Sequence, residues 1–289
     1  MKTEIIEFCR HIYNVTYQEE YQYFTEKNQK RVTESQKSNA ETAAQKEAIK
    51  RAIVEVIRRY PDEEPATLWK IIYATHVHRK SGIDDTEVIE KVISADQSWK
   101  KSSGHAFEEV IKYLGNLELS DSGIEIVLQR DLNTMIQDGI LGNEPRDISW
   151  LKEQINAAIF DLYAVVTNKK NGKKYCYGCI QSKTSIRDRV TRDREPSIAA
   201  MQSFFWSSII VLDGDFLKNK KFVNMVNGGS TEHPTNGWHG MYVFSEKYSI
   251  DRIYSTDLSL KNFKKHAAEA AEYWLTQRQW FNNEWRATN

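Results

Sequence analysis

Two apolar, aromatic-rich runs meet at one turn signal in the middle of this chain, and few folds accommodate them. The first is Ile159-Phe160-Asp161-Leu162-Tyr163-Ala164-Val165-Val166, and the second is Lys174-Tyr175-Cys176-Tyr177-Gly178-Cys179-Ile180-Gln181-Ser182-Lys183. Between them lies Lys169-Lys170-Asn171-Gly172, and Asn-Gly supplies the positive φ angles that a tight hairpin turn needs. The expectation is a buried strand pair with Asp161 inside the first strand and Lys183 ending the second. Aspartate is depleted from strand interiors, so an acid packed among Phe160, Leu162 and Tyr163 is better explained by something it binds. An acid and a lysine converging at one end of a hairpin can hold a divalent metal ion beside a scissile phosphate.

The flanking sequence sets that hairpin in an α/β frame. Residues 1–60 contain no glycine and no proline, which predicts helices with little loop. Ile5, Phe8, Ile12 and Tyr13 give one apolar stripe, and the polar segment Gln18 to Asn39 reads as an exposed helix or a partly mobile stretch. Ser38-Asn39-Ala40-Glu41 has the capping-box pattern, followed by Ile49, Ile53, Val56, Ile57 and Tyr60 at helical spacing. Pro61 and Pro65 bracket a break, after which Leu68, Ile71, Ile72 and Thr75 share a helix face. Asp84 to Ala95 reads as a shorter helix and Trp99 to His105 as a turn, before a helix with Phe107, Val110, Ile111 and Leu114 on one face. At about 100° per residue, Glu108 falls at the edge of that stripe, where it can reach a cleft, and Glu109 points away. An ordinary surface glutamate is the alternative for Glu108.

Beyond this point Gly123 to Leu128 reads as a strand and Asp147 to Ala158 as a helix. An apolar helix opens at Glu195-Pro196. Strands follow at Ser208–Leu212 and Gly240–Phe244, with a polar loop from Asn227 to Trp238 and a helix from Leu260 onward. Helices first, then strands with interspersed helices, make an α/β core behind a helical N-terminal region. The expected division is 1–98 for the helical region and 99–289 for the catalytic core.

Charge and cysteine content exclude several classes. Lysine plus arginine (40) equals aspartate plus glutamate (40), so net charge gives no support to nucleic-acid binding. Bases do cluster, at Lys169 to Lys174, Arg187 to Arg194 and Lys218 to Lys221, and each cluster alone reads most simply as a solvated turn. Three cysteines exclude a disulfide framework. Cys176-x-x-Cys179 has no second pair to complete a zinc site, and its odd spacing would send the thiols to opposite faces of a strand. Core cysteines are expected. No apolar run reaches the roughly 18 residues of a membrane span, and the start carries no signal-peptide core, so no membrane partner and a cytosolic location are expected.

Asp161, the hairpin and Gln181-Ser182-Lys183 together resemble the PD-(D/E)XK restriction endonucleases. The acid usual in that family two residues before the lysine is here Gln181, and one branch moves it to the following helix. That is the branch of EcoRII-, PspGI-, NgoMIV- and BsaWI-like enzymes, which read CCGG or interrupted CC…GG sites. Its basic-acidic-basic signature after the lysine is matched by Arg187-Asp188-Arg189. Glu195 is then the candidate for the displaced acid, with Asp193 as a rival, and Gly104-His105-Ala106-Phe107-Glu108 resembles the family's upstream glutamate element.

The resemblance implies a restriction-endonuclease-like mixed central sheet flanked by helices. It further implies a type II enzyme of the prokaryotic cytoplasm, using Mg²⁺ held by Asp161 and Glu195, with Lys183 and Glu108 completing the catalytic set. The implied substrate is double-stranded DNA with a palindromic CCGG core, cut before the first cytosine to leave 5′ overhangs. Arginine pairs with guanine O6 and N7 and a carboxylate accepts from cytosine N4, so Arg187, Asp188 and Arg189 would read the core. Two copies about a two-fold axis would read both halves, making a homodimer or a higher oligomer. The N-terminal helices would clamp DNA or build the dimer interface. A structure-selective repair nuclease and a silent DNA-binding module are the competing functions.

Overall fold

The structure is a computed structural model that describes residues 2–26, 33–83, 85–185, 190–245 and 249–288. The chain divides into two compact units, residues 1–98 and 99–289.

In the first unit, helices α1 (Lys2–Glu26), α2 (Glu34–Arg59) and α3 (Pro65–Ser81) share one apolar core. Ile5, Cys9, Tyr13 and Tyr17 recur every fourth residue on α1 and are buried, facing an α2 stripe of Ala44, Ala48, Ala52 and Val56. Small alanines let larger α1 side chains fill the gap, so Ile57, expected inside, is 50% exposed. The capping box that forms is Thr33 with Gln36, not the Ser38–Glu41 pattern, because α2 has already begun at Glu34. Pro65 occupies the first turn of α3, where its missing N–H costs nothing. Leu68, Ile71, Ile72 and Thr75 are all buried, as their spacing predicts.

Helix α4 (Thr86–Leu119) overturns two expectations, for it is one continuous helix through the segment read as a turn. A single mid-helix glycine costs only about 1 kcal/mol relative to alanine, and Gly104 stays helical. Val110, expected on the buried face with Phe107 and Ile111, is 43% exposed.

The second unit is built on a six-stranded sheet in sequential order: β1 (Ile124–Leu128), β2 (Leu162–Thr167), β3 (Lys174–Ser185), β4 (Trp206–Asp213), β5 (Gly240–Val243) and β6 (Ile253–Ser255). The first three strands are antiparallel and the last four run parallel to one another, so the sheet is mixed. One face packs on the C-terminal part of α4 and on α9 (Lys261–Gln277), through Phe107, Ile111, Trp206, Tyr242 and Phe263. The other carries α5 (Gln129–Gln137), α6 (Pro145–Asn156), α7 (Val190–Gln202) and α8 (Lys220–Asn227) over Leu132, Leu151, Phe160, Ile209 and Met225. This is the mixed α/β architecture with flanking helices that the hairpin and its surroundings imply.

The hairpin turn spans 168–173, and of its Asn171-Gly172 pair only Gly172 takes a positive φ (67°). Inside the hairpin the register slips. Val165 pairs with Cys176 but Ala164 pairs with Gly178, which leaves Tyr177 as an extra, bulged residue. The bulge resets the alternation. Cys176 and Cys179 therefore share one face and one apolar cluster instead of lying on opposite faces, and both remain free, buried thiols. Gly178 is required at this place: a Cβ there would stand 2.9 Å from Trp206 Cε3 and 3.0 Å from the Ala164 Cβ.

Candidate active site

Asp161 lies at the entrance of β2 rather than within it, fixed by its own backbone on two sides. Its N–H donates to the Ile180 carbonyl on β3 (3.1 Å), and its carbonyl accepts from the N–H of Gln129 at the start of α5 (3.3 Å). The side chain is then anchored by β3. Oδ2 accepts from the Ser182 N–H at 2.7 Å and from Lys183 Nζ at 2.9 Å. Asp161 and Lys183 side chains are each 22% exposed, so the ion pair sits at the lip of the core, open to a ligand. The aspartate and the lysine predicted from the hairpin thus meet at the carboxyl end of β3, where open α/β sheets bind their ligands.

Glu108 reaches the same place from α4. With Asp161 it lines a cleft of about 690 Å³ whose other walls include His105, Arg130 and Asn133. Burial pushes the Glu108 carboxyl above the usual carboxylate range and the neighbouring Asp161 charge adds to that, while His105 and Lys183 counter both. The Glu108 side chain is 19% exposed; Glu109, expected to point away, also lines this cleft, is 49% exposed and pairs with Arg130 at 2.6 Å. Arg130 and Asn133 belong to α5, a helix of nine residues whose short periodicity does not stand out in the sequence.

The two rival acids of α7 are separated clearly. The helix starts at Val190, so Glu195 and Pro196 lie in its interior and not at its opening. Residues 193 and 195 are then about 200° apart around the axis, and only one of them can face β3. The Glu195 side chain is 73% exposed and pairs with Arg194 (3.2 Å). Asp193 is half-buried with one carboxylate oxygen inside, and its carbonyl accepts from Gln181 Nε2 at 3.0 Å, two residues from Lys183. Among the described residues no three His, Cys, Asp or Glu side chains stand close enough to enclose a metal ion. The Arg187-Asp188-Arg189 cluster lies outside the described residues.

Comparison with known proteins gives concordant results. Residues 147–280 match the family model described as BsaWI restriction endonuclease type 2. Among solved structures, the chain is similar over 99% of both lengths to the pre-specific BsaWI–DNA complex, at 53% identity and a TM-score of 0.80. It also aligns with the specific AgeI–DNA complex, at 18% identity, over 88% of this chain and 91% of that one, with a TM-score of 0.44. No curated protein sequence matches. Among the described residues no helix is long and apolar enough to cross a membrane.

Proposed function

This chain belongs to the BsaWI family of type II restriction endonucleases, and from that premise we propose that it is a Mg²⁺-dependent enzyme cutting double-stranded DNA at a palindrome with a CCGG core, before the first cytosine, to leave 5′ overhangs. The observation that carries this reading is the Asp161–Lys183 pair at 2.9 Å, with Glu108 on the wall of the same cleft. The structure of BsaWI was solved on DNA, which supports duplex DNA as the substrate. The prokaryotic cytoplasm is the proposed location.

The donor set suits magnesium. Mg²⁺ usually keeps several waters and is held by one or two carboxylates together with substrate phosphates, so a site with few protein ligands fits it. Asp161 is the first ligand. The second ligand comes from α7, with Glu195 as the candidate and Asp193 as its rival. When bound, the ion neutralises phosphate charge and lowers the pKa of a coordinated water. The Ser182 N–H and Lys183 fix the orientation of the Asp161 carboxylate. Lys183 also places its ammonium where charge develops on the phosphate oxygens. Glu108, more basic than an ordinary carboxylate, is the group to take the proton of the attacking water.

Arg187, Asp188 and Arg189 read the CCGG core, and two copies related by a two-fold axis read both half-sites. Residues 1–98 serve as a DNA clamp or as part of the dimer interface, with 99–289 as the catalytic domain. Run-off sequencing of the ends of cut plasmid tests the reading, since it reports both the site and the bond broken. Termini scattered over unrelated sequences, or blunt ends at CCGG, would contradict it.

A further inference from the structure

The cleft beside Asp161 has to admit a polyanion, yet its lining is rich in acids. Glu108, Glu109 and Asp161 all line it, and among the described residues that do so Arg130 is the one side chain with a permanent positive charge. The backbone fixes where this arginine stands. Leu128 pairs with Leu162 across β1 and β2, and the Gln129 N–H donates to the Asp161 carbonyl at 3.3 Å. Helix α5 therefore sets out from the Asp161 backbone, with Arg130 as its second residue. Glu109 also lines a second groove of about 420 Å³ with Lys112, Tyr113 and Asn116, which places the Arg130–Glu109 pair where the cleft runs out along α4.

Two ion pairs stand side by side here, and they differ in how firmly they are held. Asp131 Oδ2 accepts from Lys112 Nζ at 2.6 Å and from the Leu128 N–H at 3.3 Å, so it is tied into the start of α5 and Lys112 is tied to it. The Arg130 guanidinium instead meets the Glu109 carboxylate through one terminal nitrogen, at 2.6 Å, while its Nε lies 3.7 Å from Asp131 Oδ1. The Arg130 side chain is 73% exposed. An exposed pair of this kind is screened by water and salt and adds little to stability. A guanidinium gains more from a phosphate, which it can engage through two parallel N–H···O bonds. The Glu109 carboxylate is thus a partner that an arriving phosphate can displace.

We propose that Arg130 binds a backbone phosphate of the DNA strand lying in the cleft beside Asp161, and that Glu109 holds the guanidinium in place until DNA arrives. The contact is to the backbone, so it contributes affinity and register but no base preference. It rests on duplex DNA as the substrate. Fluorescence anisotropy tests it, with the full-length enzyme and Ca²⁺ in place of Mg²⁺. The probes are a CCGG duplex and one of equal length without that core, over a range of NaCl concentrations. Arg130→Ala should weaken binding to both duplexes by the same factor, on the order of 10-fold. It should also lower the slope of log K against log salt by about 0.9, the value of one phosphate contact. Arg130→Lys should restore the slope and only part of the affinity, since an ammonium lacks the planar fork. Glu109→Gln should tighten binding by up to about 5-fold, the worth of an exposed ion pair, and that gain should disappear in the Arg130→Ala background. An unchanged slope in Arg130→Ala, a loss confined to the CCGG duplex, or a Glu109→Gln gain that persists in full without Arg130 overturns the proposal and leaves the DNA reading standing. Wild-type enzyme that binds neither duplex would remove the DNA reading itself, and this contact with it.

Discussion

Two histidines buried in the catalytic unit make its stability depend steeply on pH. His239 is 2% exposed, accepting at Nδ1 from the Ser207 N–H and donating from Nε2 to the Asn282 carbonyl, while His266 is 4% exposed with Nδ1 at 2.9 Å from the Tyr242 hydroxyl. Burial pushes His239 down to about 3 and His266 down to about 4. Both folded values lie below the unfolded value of about 6.5. Between those limits the unfolded chain binds more protons, so the contribution is present above about pH 6.5 and is lost as the pH falls. From pH 6.5 to pH 5 each histidine removes roughly 1.6 kcal/mol, and the pair about 3 kcal/mol, out of a typical total of about 5–15 kcal/mol. Urea unfolding followed by tryptophan fluorescence at several pH values measures this, since Trp206 and Trp238 are fully buried reporters. Replacing His266 by Gln should lower stability at pH 7.5 yet roughly halve its loss between pH 6.5 and 5. A wild-type stability that stays flat across that window, or a slope unchanged in the variant, refutes the reasoning.

Other expectations concern packing, recognition and the cleft. Gly178→Ala presses a methyl into Trp206 and Ala164, and overpacking of this kind costs about 1–3 kcal/mol; denaturant midpoints check it, and an unchanged midpoint would show that the bulge relaxes freely. Arg187→Ala and Arg189→Ala should each cost about 1–3 kcal/mol of discrimination between CCGG and single-mismatch duplexes, measured by competition binding. Equal losses on all sequences would make them phosphate contacts instead. Glu108→Gln should slow cleavage by about 10²-fold or more as a general base would while duplex affinity holds, and a wild-type rate would remove Glu108 from the chemistry.

The parts legible in the sequence were those where a short pattern dictates one geometry. Asn171-Gly172 between two apolar runs fixed the hairpin, and with it the meeting of Asp161 and Lys183. The 100° step around a helix predicted that Glu108 is the less exposed of the two glutamates, although Glu109 lines the cleft as well. What stayed hidden depends on contacts between distant segments. Gly104 and its serine neighbours resemble a turn, yet α4 runs through them because each glycine inside a helix costs only about 1 kcal/mol. The bulge at Tyr177 follows from Trp206 and Ala164 closing on Gly178, which no local pattern announces. The rotation of α7, which leaves Asp193 half-buried and Glu195 exposed, depends on the bond of Gln181 to the Asp193 carbonyl and on the grip of Arg194 on Met225 of α8 and on Thr235.

The central claim is that Asp161 and Lys183 form one catalytic centre, and plasmid cleavage in Mg²⁺ by Asp161→Ala and Lys183→Ala tests it most directly. Each variant should lose on the order of 10²–10³-fold in rate or more, with circular dichroism unchanged. Either variant cutting at the wild-type rate would contradict it.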